Sequence, residues 1–360
     1  MARHFEVRTD DLSRTRVTAA DDGDVRPGEV LAEIEHFGLS TNNVTYARLG
    51  RRLGYWRLFP AAAPWGRVPA WGYLRVVHST VAEVETGRRL FGLCPMSTHV
   101  TLRPGRAHRG GFADASEHRA GLSAAYNAYS YLDTDPAHRP DLADHLLVLR
   151  PLMWLSYLVD DLLAEHGWFG AERAIVTSAS SRAATGLARL LARRGLRTVG
   201  LTAPHRRAAV AGLGVYDEVL TYDTAGTAGT AEPTVLVDVA GDDALRGRLA
   251  AHLGDALRHT VVAGFTHDAT GAAPDLPAPR TTTLFVPDRM AERARRLGWN
   301  DLNAGYVEAL HDFAAWSRPW LRVTPGHGPA AVAAAYDGVL TGTTPPATAH
   351  VLTLSEYPGP

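Results

Sequence analysis

Ser178, Ser180, Ser181 and Arg182 stand in the stretch most able to do chemistry, AIVTSASSRAATGLARLLARRGLRTVGLTAP, Ala174–Pro204. Its order reads as a buried strand ending at Thr177, a turn of small residues, an amphipathic helix and a second buried strand. A turn of this kind gathers backbone N–H groups at a helix N-terminus, where donors and helix dipole together suit a pyrophosphate. The glycines of G-x-G-x-x-G are missing. Serine hydroxyls can donate to phosphate and Arg182 adds positive charge, but only glycine takes up φ > 0 without cost. Two readings stay open: a dinucleotide site formed by Thr177, Ser178, Ser180, Ser181 and Arg182, or a helix start that the serines merely cap. Downstream, the second strand ends Gly200-Leu201-Thr202-Ala203-Pro204-His205-Arg206-Arg207 and carries no acid to bond the ribose 2′-OH of NAD. Thr202 followed by His205 and Arg206 suits a 2′-phosphate and points to NADP(H). The alternative leaves Arg206 and Arg207 as solvated helix residues.

The elements that must position this turn follow from the spacing. Strands at Ala174–Thr177, Arg197–Thr202, Glu218–Thr221, Thr234–Asp238 and His259–Ala263 alternate with helical stretches at Ala183–Arg194, Pro204–Leu213 and Ala244–His252. That alternation predicts a parallel, doubly wound α/β sheet, preceded by a helix over Asp144–Glu165. A Pro-rich stretch, Gly271–Arg280, ends the unit, and two helices follow near Arg289–Leu297 and Asn303–Ala315. The first 130 or so residues read as β-rich, with an alternating strand in Gly28–Ser40, further strands at Gly72–Ser79 and Arg89–Leu93, and a loop over Leu53–Pro69. The last segment, Pro329–Leu354, reads as helix, turn and strand. The expected division is 1–140, joined by 325–360, and 141–324.

Composition excludes several chemistries. All 37 basic residues are arginine, so neither a lysine Schiff base nor a Walker A loop can form. The one cysteine, Cys94, rules out an intrachain disulfide and a thiolate zinc cluster. A net charge of −1 supplies no phosphate-attracting face, which argues against nucleic acid as a partner. No apolar run reaches a membrane span, and the N-terminus is polar and charged. The expectation is a cytoplasmic protein with a small-molecule substrate.

Six segments together resemble the medium-chain dehydrogenase/reductase superfamily on its zinc-free, quinone-oxidoreductase side: Gly38–Gly50, Val68–Ser79, Gly92–His99, Leu149–Leu163, Thr177–Gly186 and Gly212–Asp223. More narrowly, the chain is similar to a bacterial family of that superfamily labelled DUF2855. The resemblance implies a GroES-like β-rich domain, a Rossmann-like nucleotide-binding domain inserted into it, and a cleft between them. Dimers are common in the superfamily, which leaves a homodimer open. Where zinc-dependent members carry Cys, His and Glu ligands, this chain has Ser40, Trp71 and Gly72, which cannot bind Zn²⁺ in their place. No metal is expected.

In zinc-free relatives polar residues of the loop matching Leu39–Arg48 lie near the nicotinamide, which carries over to Asn42, Asn43 and Tyr46. A phenol or amide donor there would stabilise a developing enolate oxygen, and Tyr46 could supply the proton. The alternatives are a turn for the asparagines and a buried aromatic for Tyr46. By the same resemblance Tyr222, Ala240, Gly241, Gly264 and Phe265 face the cofactor. His99 enters the cleft or is an ordinary core histidine. Tyr126 and Tyr129 line a substrate pocket or form one face of a helix. The resulting expectation is a metal-independent, NADP(H)-dependent oxidoreductase that reduces an activated alkene or carbonyl. Its rival is a protein of the same fold that has lost redox chemistry and acts as a lyase-type enzyme or ligand binder, since fold alone does not fix function.

Overall fold

The computed structural model describes residues 2–20, 24–264 and 280–356. The chain divides into two compact units, Met1–Val148 with Ser317–Pro360, and Leu149–Trp316, each with its own apolar core. Among the described residues no helix is long and apolar enough to cross a membrane.

The first unit runs β1 (Ala2–Arg8), β2 (Thr15–Ala20), β3 (Val30–Leu39), α1 (Thr41–Arg48), β4 (Trp65–Gly66), β5 (Pro69–Ser79), β6 (Arg89–Pro95), β7 (His99–Leu102), β8 (Gly111–Ala113), α2 (Ala124–Asn127) and β9 (Ala128–Tyr131). Helix α3 (Ala143–Glu165) then carries the chain into the second unit. That unit contains β10 (Arg173–Val176), α4 (Arg182–Arg193), β11 (Arg197–Thr202), α5 (Arg207–Ala211), β12 (Glu218–Thr221), β13 (Thr234–Asp238), α6 (Asp243–Leu253), β14 (Leu257–Val262), β15 (Thr281–Thr283), α7 (Val286–Leu297) and α8 (Trp299–Ser317). The chain returns to the first unit as β16 (Arg322–His327), α9 (Gly328–Leu340) and β17 (Thr348–Thr353).

In the first unit the main sheet has the order β16-β17-β3-β5-β6-β9-β8, with β7 also on β3, and a smaller sheet has the order β2-β1-β4. Strand β3 alternates as its sequence predicts: Val30, Ala32 and Ile34 are buried on one face. The stretch after it, expected as a loop, is helix α1. Ser40 Oγ accepts from the Asn42 N–H, and Asn43 Oδ1 accepts from the Ser40 N–H at 2.8 Å. This reciprocal pair satisfies donors that a helix start leaves orphaned, and the segment coils instead of looping.

In the second unit the six strands among the described residues are parallel, in the order β12-β11-β10-β13-β14-β15. The chain leaves β10 toward β11 and β12, then crosses back to β13 on the other side. The strand order therefore reverses between β10 and β13, and in such sheets ligands lodge beyond the carboxyl ends at that point. Helix α4 starts there. Its face of Ala184, Leu187, Ala188 and Leu191 is buried, and Gly186 lets it lie close to α3. A Cβ at Gly186 would stand 2.6 Å from Met153 Sδ.

The smaller sheet holds a pH-sensitive contact. His4 is buried and bonds Ser97 Oγ through Nδ1 at 2.8 Å. Burial, helped by the Arg67 charge, lowers its pKa from 6.5 to about 4. The unfolded chain thus takes up a proton first as pH falls below 6.5, and stability drains between that value and about 4. Thermal melts from pH 7 to pH 4 should show wild type losing Tm more steeply than His4→Gln. Parallel curves would remove His4 as the cause.

Candidate active site

At the switch point the turn after β10 places Ser178 in the left-handed region, with φ 54°, a conformation that costs a non-glycine residue about 1 kcal/mol or more. Neighbouring hydrogen bonds hold it there. The Ser178 N–H donates to Tyr222 Oη at 3.2 Å, the Ser181 N–H to Ser178 O at 2.7 Å, and the Ala179 N–H to Leu201 O at 2.9 Å. Ser181 is the N-cap of α4, its Oγ accepting from the Ala184 N–H at 3.2 Å. Its hydroxyl thus serves the helix, as the capping alternative holds. Among the described residues, this leaves the amides of Ser180 and Ala183 as donors at the helix start.

Ser180, His205, Arg206 and Tyr222 come together around this turn from three strand ends. Arg206 Nη1 donates to Ser180 Oγ at 3.3 Å, and its Nε donates to Nε2 of the exposed His205 at 3.2 Å. Because Tyr222 Oη accepts from Ser178, its own proton is left to donate. Thr202 is buried beneath, and its carbonyl accepts from the Tyr222 N–H at 3.1 Å. Burial lowers the pKa of the Arg182 guanidinium to about 10, which still leaves it charged at neutral pH. Cationic groups and outward donors at a helix N-terminus form a chemically sound cradle for phosphate.

Other residues expected to face the cofactor are spent internally. Asp238 ends β13 fully buried, and a buried carboxylate must collect donors. Its Oδ1 accepts from Thr177 Oγ1 at 2.7 Å and the Gly241 N–H at 3.0 Å, and its Oδ2 accepts from Arg246 Nη1 at 2.6 Å. The Thr177 hydroxyl in turn accepts from the N–H groups of Val239 and Ala240, while the Gly264 N–H donates to Asp238 O. The hydroxyl of Thr177 and the amides of Ala240, Gly241 and Gly264 therefore tie strand ends together instead of offering donors to a ligand. Phe265 lies outside the described residues.

In the first unit a tyrosine cluster forms around Tyr46. Its ring meets Tyr55 edge-on at 4.8 Å and Tyr126 at 6.2 Å, and the hydroxyls of Tyr55 and Tyr126 are 3.0 Å apart. Trp71 Nε1 donates to Tyr46 Oη at 3.2 Å. Asn42, one helical turn before Tyr46, brings its side chain near that hydroxyl. Burial raises the Tyr46 pKa above its ordinary 10, and the Trp71 and Asn42 contacts act against the rise. Tyr55 is pushed up to about 12 by burial. These phenols stay protonated at neutral pH.

Three sequence candidates fall outside this cluster. Asn43 is buried, caps α1 and donates from Nδ2 to Pro69 O at 2.8 Å, so its amide is structural. Tyr129, expected with Tyr126 to line a substrate pocket or to form one face of a helix, lies on strand β9. Its ring stacks on Phe112 in the core and its hydroxyl donates to Leu93 O. His99 belongs to β7, where side chains alternate between faces. Its Nδ1 bonds Thr98 Oγ1 at 3.1 Å. Tyr55 and Trp71 went unassigned in the sequence because their partners lie 9 and 25 positions from them along the chain. For Tyr55 the local hint was the aromatic density of Leu53–Pro69.

Comparisons with known proteins agree with this architecture. No curated protein matches the chain. Among solved structures it is similar to CurA from Vibrio vulnificus in complex with NADPH, at 12% identity and a TM-score of 0.59 over 99% of this chain and 100% of that one. It is also similar to a quinone oxidoreductase of Pseudomonas syringae, at 17% identity and a TM-score of 0.58 over 98% and 100% of the two chains. An oxidoreductase from Salmonella enterica in complex with NADP matches at 14% identity and a TM-score of 0.56 over 98% and 99%. At these identities the likeness is one of fold. A family model described as "Protein of unknown function (DUF2855)" matches residues 37–345, and the chain belongs to that family.

Proposed function

We propose that this protein is a metal-independent, NADP(H)-dependent reductase that acts on an activated alkene or carbonyl of a small molecule. The observation that carries the proposal is the cluster at the switch point, where the start of α4, Ser180, Arg206 and Tyr222 gather donors and positive charge. Those residues suit the pyrophosphate and 2′-phosphate of NADP(H), with Arg206 and His205 on the extra phosphate. Solved structures of like fold that contain NADPH or NADP lend further support. When bound, the dinucleotide supplies a hydride.

The chain's own part in the reaction is to orient the acceptor and deliver a proton. Tyr46 holds that proton on Oη, and hydrogen bonding from the phenol to the acceptor oxygen stabilises charge developing there. One proton given to the substrate matches one hydride received, so the double bond is reduced by two electrons.

Titration with NADPH, followed by nicotinamide fluorescence, tests the nucleotide half. Arg206→Ala should raise the NADPH Kd by about 10- to 100-fold, the worth of a charge-assisted contact, and leave NADH binding nearly unchanged. The assignment fails if wild type binds neither nucleotide at roughly millimolar concentration.

A further inference from the structure

The phenol oxygen of Tyr46 has two acceptor positions and one proton to give. The indole of Trp71 is a donor only, so its contact at 3.2 Å must end on a lone pair of Tyr46. The Asn42 side chain lies near the same oxygen, and its amide can donate through nitrogen or accept through Oδ1. With Trp71 donating, the Tyr46 proton has to point away from the indole. If Trp71 were lost, the phenol could turn its proton onto Asn42 Oδ1 and withdraw it from any ligand.

The indole is also well fixed. It stands on β5, between Gly38 of β3 and Leu93 of β6, and stacks on Phe91 at 5.4 Å with the planes 14° apart. A donor held this firmly selects one orientation of its acceptor.

We infer that Trp71 is a positioning residue whose indole N–H turns the Tyr46 proton away from itself and toward the bound substrate. The inference rests on the reductase reading of Tyr46.

The test uses the full-length protein with NADPH and 2-cyclohexen-1-one, together with the indole ¹H–¹⁵N resonance of Trp71. Trp71→Phe keeps the stack on Phe91 and removes the donor. It should lower kcat by about tenfold, the worth of one well-placed hydrogen bond near a reacting group, with KM and the NADPH Kd unchanged. Trp71→His, which restores an N–H, should recover part of that loss. In Tyr46→Phe the indole resonance should move upfield and lose its protection from solvent exchange.

Unaltered kcat in Trp71→Phe, or an indole resonance indifferent to Tyr46→Phe, overturns the inference and leaves the reductase reading standing. Full turnover in Tyr46→Phe, with the indole contact intact in wild type, discards the role of Tyr46 and this inference with it.

Discussion

Replacement of Tyr46 by phenylalanine is expected to lower kcat for enone reduction by about 10²- to 10³-fold, the usual worth of a positioned proton donor. The ring remains, so its edge-on contacts with Tyr55 and Tyr126 survive and stability should change little. NADPH affinity should also hold, because the nucleotide candidates sit on other elements, at the ends of β10, β11 and β12. The signature is a fall in kcat and kcat/KM together, which marks an interaction made in the transition state. Stopped-flow reduction of 2-cyclohexen-1-one under single-turnover conditions separates this from slow product release. Unchanged single-turnover rates would remove Tyr46 from the chemistry.

A second large effect is expected at Asp238, on stability. The carboxylate is fully buried and joins Thr177, Gly241 and Arg246. Asp238→Ala would leave the Arg246 guanidinium, itself 5% exposed, with Asp243 as its remaining carboxylate. Breaking a buried pair from one side costs about 3–5 kcal/mol. Urea denaturation at pH 7 should show that loss, and the double variant Asp238→Leu with Arg246→Met should restore much of it, since no buried charge is then left unpaired. A loss below about 1 kcal/mol, the size of an average substitution, would mean that the network is not the hub of these strand ends. The same variant should weaken NADPH binding, because the Thr177 hydroxyl that steadies the end of β10 loses its acceptor.

Ser178 shows how far local sequence goes. The run of small residues between two apolar strands already marks a strand–turn–helix, and absent glycines predict a strained turn. The strain falls at Ser178 and is offset by a hydrogen bond from the Ser178 N–H to Tyr222 Oη, 44 residues away. Proximity of this kind follows from strand order, which residue spacing does not carry.

By itself the sequence determined the doubly wound sheet, through regular alternation of apolar strands and amphipathic helices. Those features depend on residue type and short-range period, which any stretch of chain displays. Only the tertiary structure decided which polar groups remain available. It consumed Asn43 in a helix cap, Tyr129 in the core, and Thr177 with the amides of Ala240 and Gly241 around Asp238. It also added Tyr55 and Trp71 to Tyr46. The reason is physical: a buried polar atom must find a partner, and which partner it finds depends on strands that meet only after folding.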